Sequence, residues 1–390
     1  MKLFKKEPNF KFMDKRFWAF GISGLVIIAG LIAFFTMGFN LGIDFTGGTM
    51  VEVSFKDATS ENDLRQILSD VGLGKSVIQS VEGGQTKFFI KTMNVSEEDL
   101  SEEEALEALA KAANIIREAF IDSRDKAEVE AGKKDLNNIS ERQITNILVA
   151  GGIDSESAEN TAKEVIQLRT TDPNGLIGKF EDLEANGLKN NVVSILKDKT
   201  YLGHFTFLSV ESVGPQVGHD LRRKATLATF WMLVGMLIYI GFRFKFIYGL
   251  AAVITLFHDV LIALAAIIFF QIEISLSVVA ALLTIIGYSL NDTIVIFDRV
   301  RDNVKLMRKD PAATILDRSI NQTLSRTIVT SGTTLLTVLS LFFFGGEVIH
   351  SFSFTLLVGV VVGTYSSIFQ SCSWLKIWEK SFLGRKKYEK

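Results

Sequence analysis

Four ionisable residues lie within, or at the start of, long apolar stretches of this chain: His258, Asp259, Asp292 and Arg326. A charged group at membrane depth costs about 3 kcal/mol on insertion scales, so each of these residues needs a partner or a use. A carboxylic acid there is either protonated and neutral, or ionised beside a cation such as Arg326. Alternation between these states is the chemistry of a proton relay. We assign a proton relay first to Asp292 and Arg326, with Asp259 and His258 as further candidates.

Polar groups that can support such a relay are Asn291 and Thr293, which flank Asp292, and Thr330, about one helical turn after Arg326. Thr284 and Tyr288 are spaced at helical intervals from Asp292, so we expect all three on one helix face. Further hydroxyl groups follow Arg326 at helical spacing, at Thr327, Thr330, Thr333, Thr334 and Thr337.

The same residues also fit a structural interpretation. A buried aspartate can hold helices together through hydrogen bonds, and hydroxyl-bearing residues let membrane helices approach closely. An arginine at the end of a span can extend its head group to the membrane surface and act as an anchor. The residue types alone leave both interpretations open.

Six apolar stretches are long enough to position these residues in a bilayer, whose hydrocarbon core of about 30 Å takes about 20 helical residues. We place the spans at 17–38, 225–242, 247–270, 274–297, 325–344 and 352–372. The first is too long for a signal-peptide core and is followed by no small-residue cleavage site. We therefore expect an uncleaved membrane anchor.

The distribution of Lys and Arg gives the orientation of the spans. The tails 1–16 and 373–390 contain six Lys/Arg residues each, and the stretch 298–326, around the loop 298–324, contains seven. The two short connections on the other side contain none. By the positive-inside rule, both termini are cytoplasmic and the long segment 39–224 lies outside.

The segment 39–224 differs from the spans in charge as well as in length. It contains 21 Lys/Arg and 32 Asp/Glu, a net charge of −11, while the rest of the chain has a net charge of +9. Alternating strand patterns at 49–55, 76–81, 86–92 and from 204 onward, with a helical pattern at 60–72, predict an α+β domain. The polar stretch of about 96–198 predicts a helical insertion in that domain. An acidic outer surface argues against nucleic-acid binding.

No pattern in the sequence indicates an enzyme, a cofactor or a metal. The glycine-rich run at 72–76 resembles a phosphate-binding loop, but Ser69 stands where that motif requires its first glycine. We therefore expect no ATPase activity. The outer segment also lacks a nucleophile elbow and any familiar metal-ligand spacing.

Five motifs together resemble the SecF family, the smaller membrane subunit of the bacterial SecD–SecF pair, which is related to the RND transporters. They are GIDFTGGTMVEV (42–53), VESVGPQVGHDLRRKA (210–225), HDV (258–260), GYSLNDTIVIFDRVRDN (287–303) and NQTLSRTIVTSGTT (321–334). Their order and topology match the family, and the resemblance covers both ends of the outer segment and all six spans. The resemblance therefore covers most of the chain.

The resemblance implies a polytopic α-helical protein of the inner membrane, with six spans and an extracytoplasmic ferredoxin-like domain. It also implies that the protein pairs with SecD and works beside the SecYEG channel, together with YajC and YidC. The protein would contact unfolded preprotein and membrane lipid. Proton-motive force would drive export. Asp292 matches the family's protonatable carboxylate, Arg326 its essential basic residue, and Asp259 a characteristic polar position.

Two other functions stay open at this point. The chain can be a structural subunit that stabilises SecD and the channel without moving protons. It can also be half of an RND-type exporter of small molecules, although its single outer domain and the VGP and LND motifs argue against that.

Overall fold

The computed structural model describes residues 7–81, 84–92, 102–172 and 174–379. Its helices are α1 (Arg16–Met37), α2 (Ile43–Thr46), α3 (Glu61–Asp70), α4 (Glu102–Phe120), α5 (Ser123–Glu130), α6 (Glu141–Ala150), α7 (Ser155–Thr171), α8 (Phe180–Ala185), α9 (Asn190–Lys199), α10 (Pro215–Arg243), α11 (Phe246–Phe269), α12 (Leu276–Leu306), α13 (Ala312–Phe344), α14 (His350–Phe369) and α15 (Ser371–Ile377). Its strands are β1 (Gly48–Phe55), β2 (Val77–Ser80), β3 (Lys87–Thr92), β4 (Lys134–Asp135), β5 (Thr200–Tyr201) and β6 (Phe205–Val213). Parts of the expected tails and the start of the expected insertion lie outside the described residues.

The described chain forms two compact units. The membrane unit comprises the chain up to Gly42 and from Leu221 onward, and the outer unit comprises Ile43–Asp220. Six helical segments of the described chain are long and apolar enough to cross a membrane, which agrees with the six expected spans. Several helices extend beyond those spans. In particular, α12 and α13 continue through most of 298–324, so that loop is largely helical.

The N-terminal segment is bound to α13 shortly before Arg326. The side chain of Asn321 accepts a hydrogen bond from the Phe10 amide at 3.0 Å and donates one to the Phe10 carbonyl at 2.8 Å. Asp317 accepts a hydrogen bond from the amide of Met13, whose side chain is fully buried. These contacts fix the beginning of α1 against the same helix that carries Arg326.

The outer unit contains a four-stranded antiparallel sheet in the order β2-β3-β1-β6. With α3 after β1 and α4 after β3, the chain follows the β-α-β-β-α-β order of ferredoxin-like domains. Ser60 caps α3 by accepting a hydrogen bond from the Asp63 amide at 3.1 Å, as residues of its type do at helix starts. The core lies between the sheet and these two helices.

The helical insertion begins later than about residue 96. Ile116 and Phe120 of α4 are buried in the same core as the sheet residues Val53 and Phe205, so α4 is the second helix of the ferredoxin-like domain. The sequence placed α4 in the insertion because its polar face dominates the composition of that stretch.

The inserted part is a helical module, residues 122–203, with a hydrophobic core of its own built mainly from α6, α7, α8 and α9. Its strands β4 and β5 pair in parallel. The half-buried guanidinium of Arg169 donates hydrogen bonds to the carbonyls of Leu136, Asn137 and Ile139, which fixes the loop after β4. The module is therefore a packed unit inserted between α4 and β6.

Candidate functional site

Asp292 lies on the inner side of α12 and is 3% exposed. Its Oδ2 atom accepts a hydrogen bond from the hydroxyl of Ser331 on α13 at 3.2 Å. Further along the same pair of helices, Asn303 donates to Ser319 at 2.8 Å. The earlier residue of α12, Asp292, contacts the later residue of α13, Ser331, whereas Asn303 contacts Ser319. The two helices are therefore antiparallel, and Asp292 faces the middle of α13.

Arg326 lies on α13, five residues before Ser331, and its side chain is exposed. Its positive charge acts on Asp292 across the helix pair. The two side chains form no direct ion pair in the part of the chain that the structure describes. The carboxyl group of Asp292 is therefore close enough to a cation to respond to it, but is not locked in a salt bridge.

The three expected supporting residues have different surroundings. Thr293 is 1% exposed beside Asp292, and its hydroxyl has no hydrogen-bond partner within the described chain. Asn291 is exposed. Thr330 donates its hydroxyl to the Arg326 carbonyl at 3.0 Å, a bond within α13. Of these three residues, only Thr293 is buried.

The expectation that Thr284 shares a face with Asp292 is wrong. Thr284 is exposed and donates its hydroxyl back to the Ala280 carbonyl of its own helix, whereas Asp292 is buried. Eight residues rotate an α-helix by about 80° beyond two full turns, which is enough to separate the two side chains. Tyr288 lies between them, and its buried hydroxyl has no partner in the described residues.

Asp259 is the centre of a second polar site and is 1% exposed. Its Oδ1 atom is 2.8 Å from His258 Nδ1, and its Oδ2 atom accepts hydrogen bonds from Ser289 of α12 and from Ser366 of α14, the latter at 2.7 Å. One carboxyl group therefore joins α11, α12 and α14. The Nε2 atom of His258 is buried without a partner within the described chain.

The polar contacts extend from this site towards α1. The ring of His258 lies 6.5 Å from the ring of Tyr365, and the Tyr365 hydroxyl donates to the Ala19 carbonyl at 3.0 Å. Gln370 donates to Ser23 on α1 at 3.0 Å. Hydrogen bonds of this kind between membrane helices contribute about 0.6–2 kcal/mol each, so together they fix the relative positions of four helices.

Both carboxylate sites involve α12, because Asp292 lies on this helix and Asp259 of α11 is bound by its Ser289. Ser289, which binds Asp259, precedes Asp292 by three residues, a rise of about 4.5 Å along the helix axis. Ser289, Ser331 and Ser366 were all missed as site residues. The spacing of Ser289 from Asp292 was a usable signal, but nothing in the sequence pairs Ser331 or Ser366 with a particular aspartate.

The outer faces of α12 and α13 carry rows of small or polar side chains. The exposed small or polar residues in the apolar part of α12 are Ser277, Ala280, Thr284, Gly287 and Asn291, and those on α13 are Arg326, Thr333, Thr337 and Ser340. Spacings of three, four or seven residues place each row on one helix face. By contrast, α1 exposes large apolar side chains such as Phe17, Trp18 and Leu25.

Comparison with known proteins gives a consistent result. The model of the SecD/SecF C-terminal export membrane protein family matches residues 193–381, and the SecD/SecF GG motif matches residues 32–59. The protein translocase subunit SecF of Koribacter versatilis is 39% identical over 383 residues, which cover 94% of this chain and 91% of that protein. SecF of Escherichia coli O157:H7 is 32% identical, with 92% and 85% covered.

Among solved structures, SecDF of Thermus thermophilus, described as a translocon-associated membrane protein, matches with a TM-score of 0.65 and 31% identity. The match covers 97% of this chain but 40% of the SecDF chain, so this chain spans about two fifths of that protein. Several relatives are more than 30% identical and are matched over most of their length, which identifies the family. The chain belongs to the SecF family of protein translocase subunits.

Proposed function

We propose that this chain, together with a SecD partner, uses the proton-motive force to promote translocation of unfolded preproteins across the bacterial inner membrane. The observation that carries the proposal is the position of Asp292, a buried carboxyl group on a membrane helix, within electrostatic range of Arg326 but not paired with it. Such a group binds and releases a proton when the position of the cation changes. We propose that nucleotide hydrolysis plays no part.

In this mechanism the charge state of Asp292 sets the packing of α12 against α13. The ionised carboxylate attracts Arg326, and the protonated form keeps only the hydrogen bond with Ser331. Each charge that crosses about 100 mV supplies about 2.3 kcal/mol, so a few protons supply enough energy to shift helices. Helix shifts of this kind would move the outer unit, which acts on the preprotein.

Unpaired polar atoms near both carboxylates support a path for protons. The hydroxyls of Thr293, Thr327 and Tyr288 and the Nε2 atom of His258 are buried without partners in the described chain. Each such atom costs about 1–3 kcal/mol when it is left unsatisfied, so their accumulation in one region favours transient hydration. We propose that His258 and Asp259 form a second proton-binding site, which is connected to Asp292 through α12.

We propose that the row of small and polar residues on α12 and α13 binds the membrane helices of SecD. Small residues let membrane helices approach closely, and a hydroxyl or amide that faces another helix is better satisfied than one that faces lipid. The large apolar side chains exposed on α1 suit contact with lipid. The Thermus protein, which joins SecD and SecF in its name, is consistent with such a pairing.

The remaining parts of the assignment rest on the charge distribution and on the family. We propose that both termini face the cytoplasm and that residues 39–224 face outward, where the helical module is added to the ferredoxin-like domain. We also propose that the complex works beside SecYEG and associates with YajC and YidC. These partners follow from the family alone.

The function is tested in membrane vesicles that lack this chain and in vesicles to which it is restored together with SecD. Export of a preprotein is measured with and without a proton gradient, after the ATP-driven stage has been allowed to finish. We expect the gradient-dependent part of export to appear only in the restored vesicles. Equal gradient dependence in both kinds of vesicle would contradict the proposal.

A structural role is the second candidate, and the Asp259 site favours it, because one carboxyl group joins three helices. A purely structural subunit would change how much SecD complex is present, and export per complex would be unaffected. The same vesicles distinguish the two functions when the amount of complex is measured alongside export.

Replacement of Gly287 by leucine is expected to weaken binding of SecD at least tenfold. Gly287 is an exposed member of the α12 row, and a Cβ atom added there would have no atom of a neighbouring segment within 4 Å. Leucine therefore leaves this chain's own packing intact and blocks a close partner. Binding is measured by co-purification across a detergent titration. Gly21→Leu is the matched control, because Gly21 is equally open on the apolar face of α1. Equal loss in both variants would exclude this surface.

A further inference from the structure

Four polar side chains join the last part of α12 to the first part of α13. The Oε1 atom of Gln322 accepts hydrogen bonds from Arg299 Nε at 2.6 Å and from Asn303 Nδ2 at 2.9 Å. The Asn303 amide also donates to the hydroxyl of Ser319 at 2.8 Å. Asn303 and Ser319 are 2% and 0% exposed, so these bonds are shielded from water. We call the four residues the polar clamp.

The polar clamp and the Asp292 site belong to one helix contact with a single register. Asp292 and Asn303 are eleven residues apart on α12, and their partners Ser331 and Ser319 are twelve residues apart on α13. Both contacts therefore fit one alignment of two antiparallel helices. A slip of α13 by one residue, about 1.5 Å along the axis, would strain the bonds at both places.

The contact around Asp292 contributes little to fixing this alignment. Within the described residues, one hydrogen bond crosses the helix pair there, from Ser331 at 3.2 Å. The hydroxyls of Thr293 and Thr327, each within four residues of that bond on its own helix, are buried without a partner in the described chain. The polar clamp makes three bonds of 2.6–2.9 Å, and the one from Arg299 has a charged donor, which strengthens a hydrogen bond. Most of the hydrogen bonding that can fix α13 on α12 therefore lies in the clamp.

Gln322 connects the clamp to Arg326 along α13. The two residues are four apart, which is about one helical turn and about 6 Å along the axis. A fixed Gln322 therefore fixes the backbone of Arg326 relative to α12. The attraction between Arg326 and Asp292 depends on that position, because the Coulomb energy of two charges falls as their distance grows.

We propose that Gln322 is a positioning residue, which sets the register of α13 on α12 and so holds Arg326 at the distance from Asp292 that the proton relay needs. This inference rests on the proposed function, because the relay is part of it. Gln322 makes no hydrogen bond to either relay residue within the described chain, and its side-chain bonds go to Arg299 and Asn303 instead. It acts on the relay through the position of α13.

The register is measured with spin labels in the full chain, in nanodiscs that also contain a cysteine-free SecD. Lys305→Cys near the end of α12 and Leu336→Cys in the second half of α13 carry the labels, since both side chains are exposed. The native Cys372 is buried and stays unlabelled. In the observed register the labels are about 28 Å apart along the helix axis, so a slip of α13 changes their distance directly. We expect one narrow distance in the wild type and a shifted or broadened one in Gln322→Leu.

Export by the same variant is measured per complex in vesicles, with and without a proton gradient. We expect Gln322→Leu to lower the gradient-dependent part at least fivefold and to leave the ATP-driven part unchanged. A merely structural glutamine would lower the amount of complex and leave export per complex unchanged.

Asn321→Leu is the matched control for both measurements. Asn321 is the neighbouring residue on α13 and also makes two hydrogen bonds to another segment, but these go to Phe10 and not to α12. The control is expected to keep the wild-type label distance and the wild-type export per complex.

A double variant shows whether Gln322 acts through Arg299. We expect Arg299→Met with Gln322→Leu to lose no more gradient-dependent export than Gln322→Leu alone, because both changes break the same clamp. Residues that act through one shared contact give non-additive effects. Additive losses would show that the two residues act separately and would overturn the proposal.

The proposal is also overturned if Gln322→Leu keeps the wild-type label distance, because the clamp then does not set the register. It is equally overturned if the distance changes while gradient-dependent export per complex does not. A wild type without gradient-dependent export would contradict the proposed function instead, and the label distances would still decide whether Gln322 sets the register.

Discussion

Replacement of Asp292 by asparagine is expected to abolish gradient-dependent export while the complex with SecD still assembles. Asparagine has nearly the shape of aspartate, and its carbonyl oxygen can still accept the hydrogen bond from Ser331. It cannot bind or release a proton, and it has no charge with which to attract Arg326. The variant therefore removes the proposed chemistry and retains the packing.

The expected loss is large because the relay has no substitute at this position. Among the described residues of α12 and α13 that lie in the membrane core, Asp292 is the one carboxyl group within reach of Arg326. We expect the gradient-dependent part of export to fall at least tenfold, to the level of vesicles without the chain. The ATP-driven part should be unchanged.

The assay compares wild type, Asp292→Asn and Asp302→Asn in vesicles that contain measured amounts of complex. Asp302→Asn is the matched control, because Asp302 lies on the same helix ten residues further on and is exposed. It is expected to behave like the wild type. An Asp292→Asn complex that still responds to the gradient would show that the proton is carried by another carboxylate. Reduced assembly with normal export per complex would favour the structural role.

The sequence was sufficient to predict the spans and the two membrane carboxylates because both leave strong local signals. A long apolar run with an aspartate in it is informative without knowledge of any contact. The sheet was also predictable from alternating patterns, such as 49–55 for β1. These features depend on residues that are close in the sequence.

The rest depended on contacts between distant residues. The three serines that bind the aspartates look like ordinary small residues of membrane helices, and their roles come from helix rotation and pairing. The Asp259 site joins residues up to 107 positions apart. In the outer unit, α4 was assigned to the insertion because the burial of Ile116 and Phe120 against the sheet depends on tertiary packing.

Replacement of Gly359 by leucine is expected to disrupt the contact between α14 and α12, the two helices whose serines bind Asp259. A Cβ atom on Gly359 would collide with Cγ1 and Cδ1 of Ile285, a residue that is 1% exposed. One turn along, a Cβ atom on Gly363 would lie 3.1 Å from Cβ of Ser289. The two helices therefore touch through glycine, immediately beside the serine that binds Asp259.

Even alanine at position 359 forces Ile285 to move, and overpacking of this kind costs about 1–3 kcal/mol in well-packed interiors. Leucine adds three more carbon atoms and has to push the helices apart. Ser289 of α12 and Ser366 of α14 both bind Asp259 of α11, so moving α12 away from α14 lengthens at least one of these two bonds. We expect Gly359→Leu to lower both the amount of folded chain and the export that remains per folded complex.

A compensating change separates this steric effect from general damage. Ile285→Ala removes the side chain that the new Cβ meets, so the double variant Gly359→Ala with Ile285→Ala should regain most of the thermal stability lost by Gly359→Ala alone. Gly21→Leu, on an open face of α1, is expected to leave folding and export unchanged. If the double variant is no more stable than Gly359→Ala, the contact with Ile285 does not limit packing here. If stability returns but gradient-dependent export does not, the spacing between α12 and α14 affects the proton relay independently of stability. Proton coupling then depends on where Ser289 and Ser366 hold Asp259.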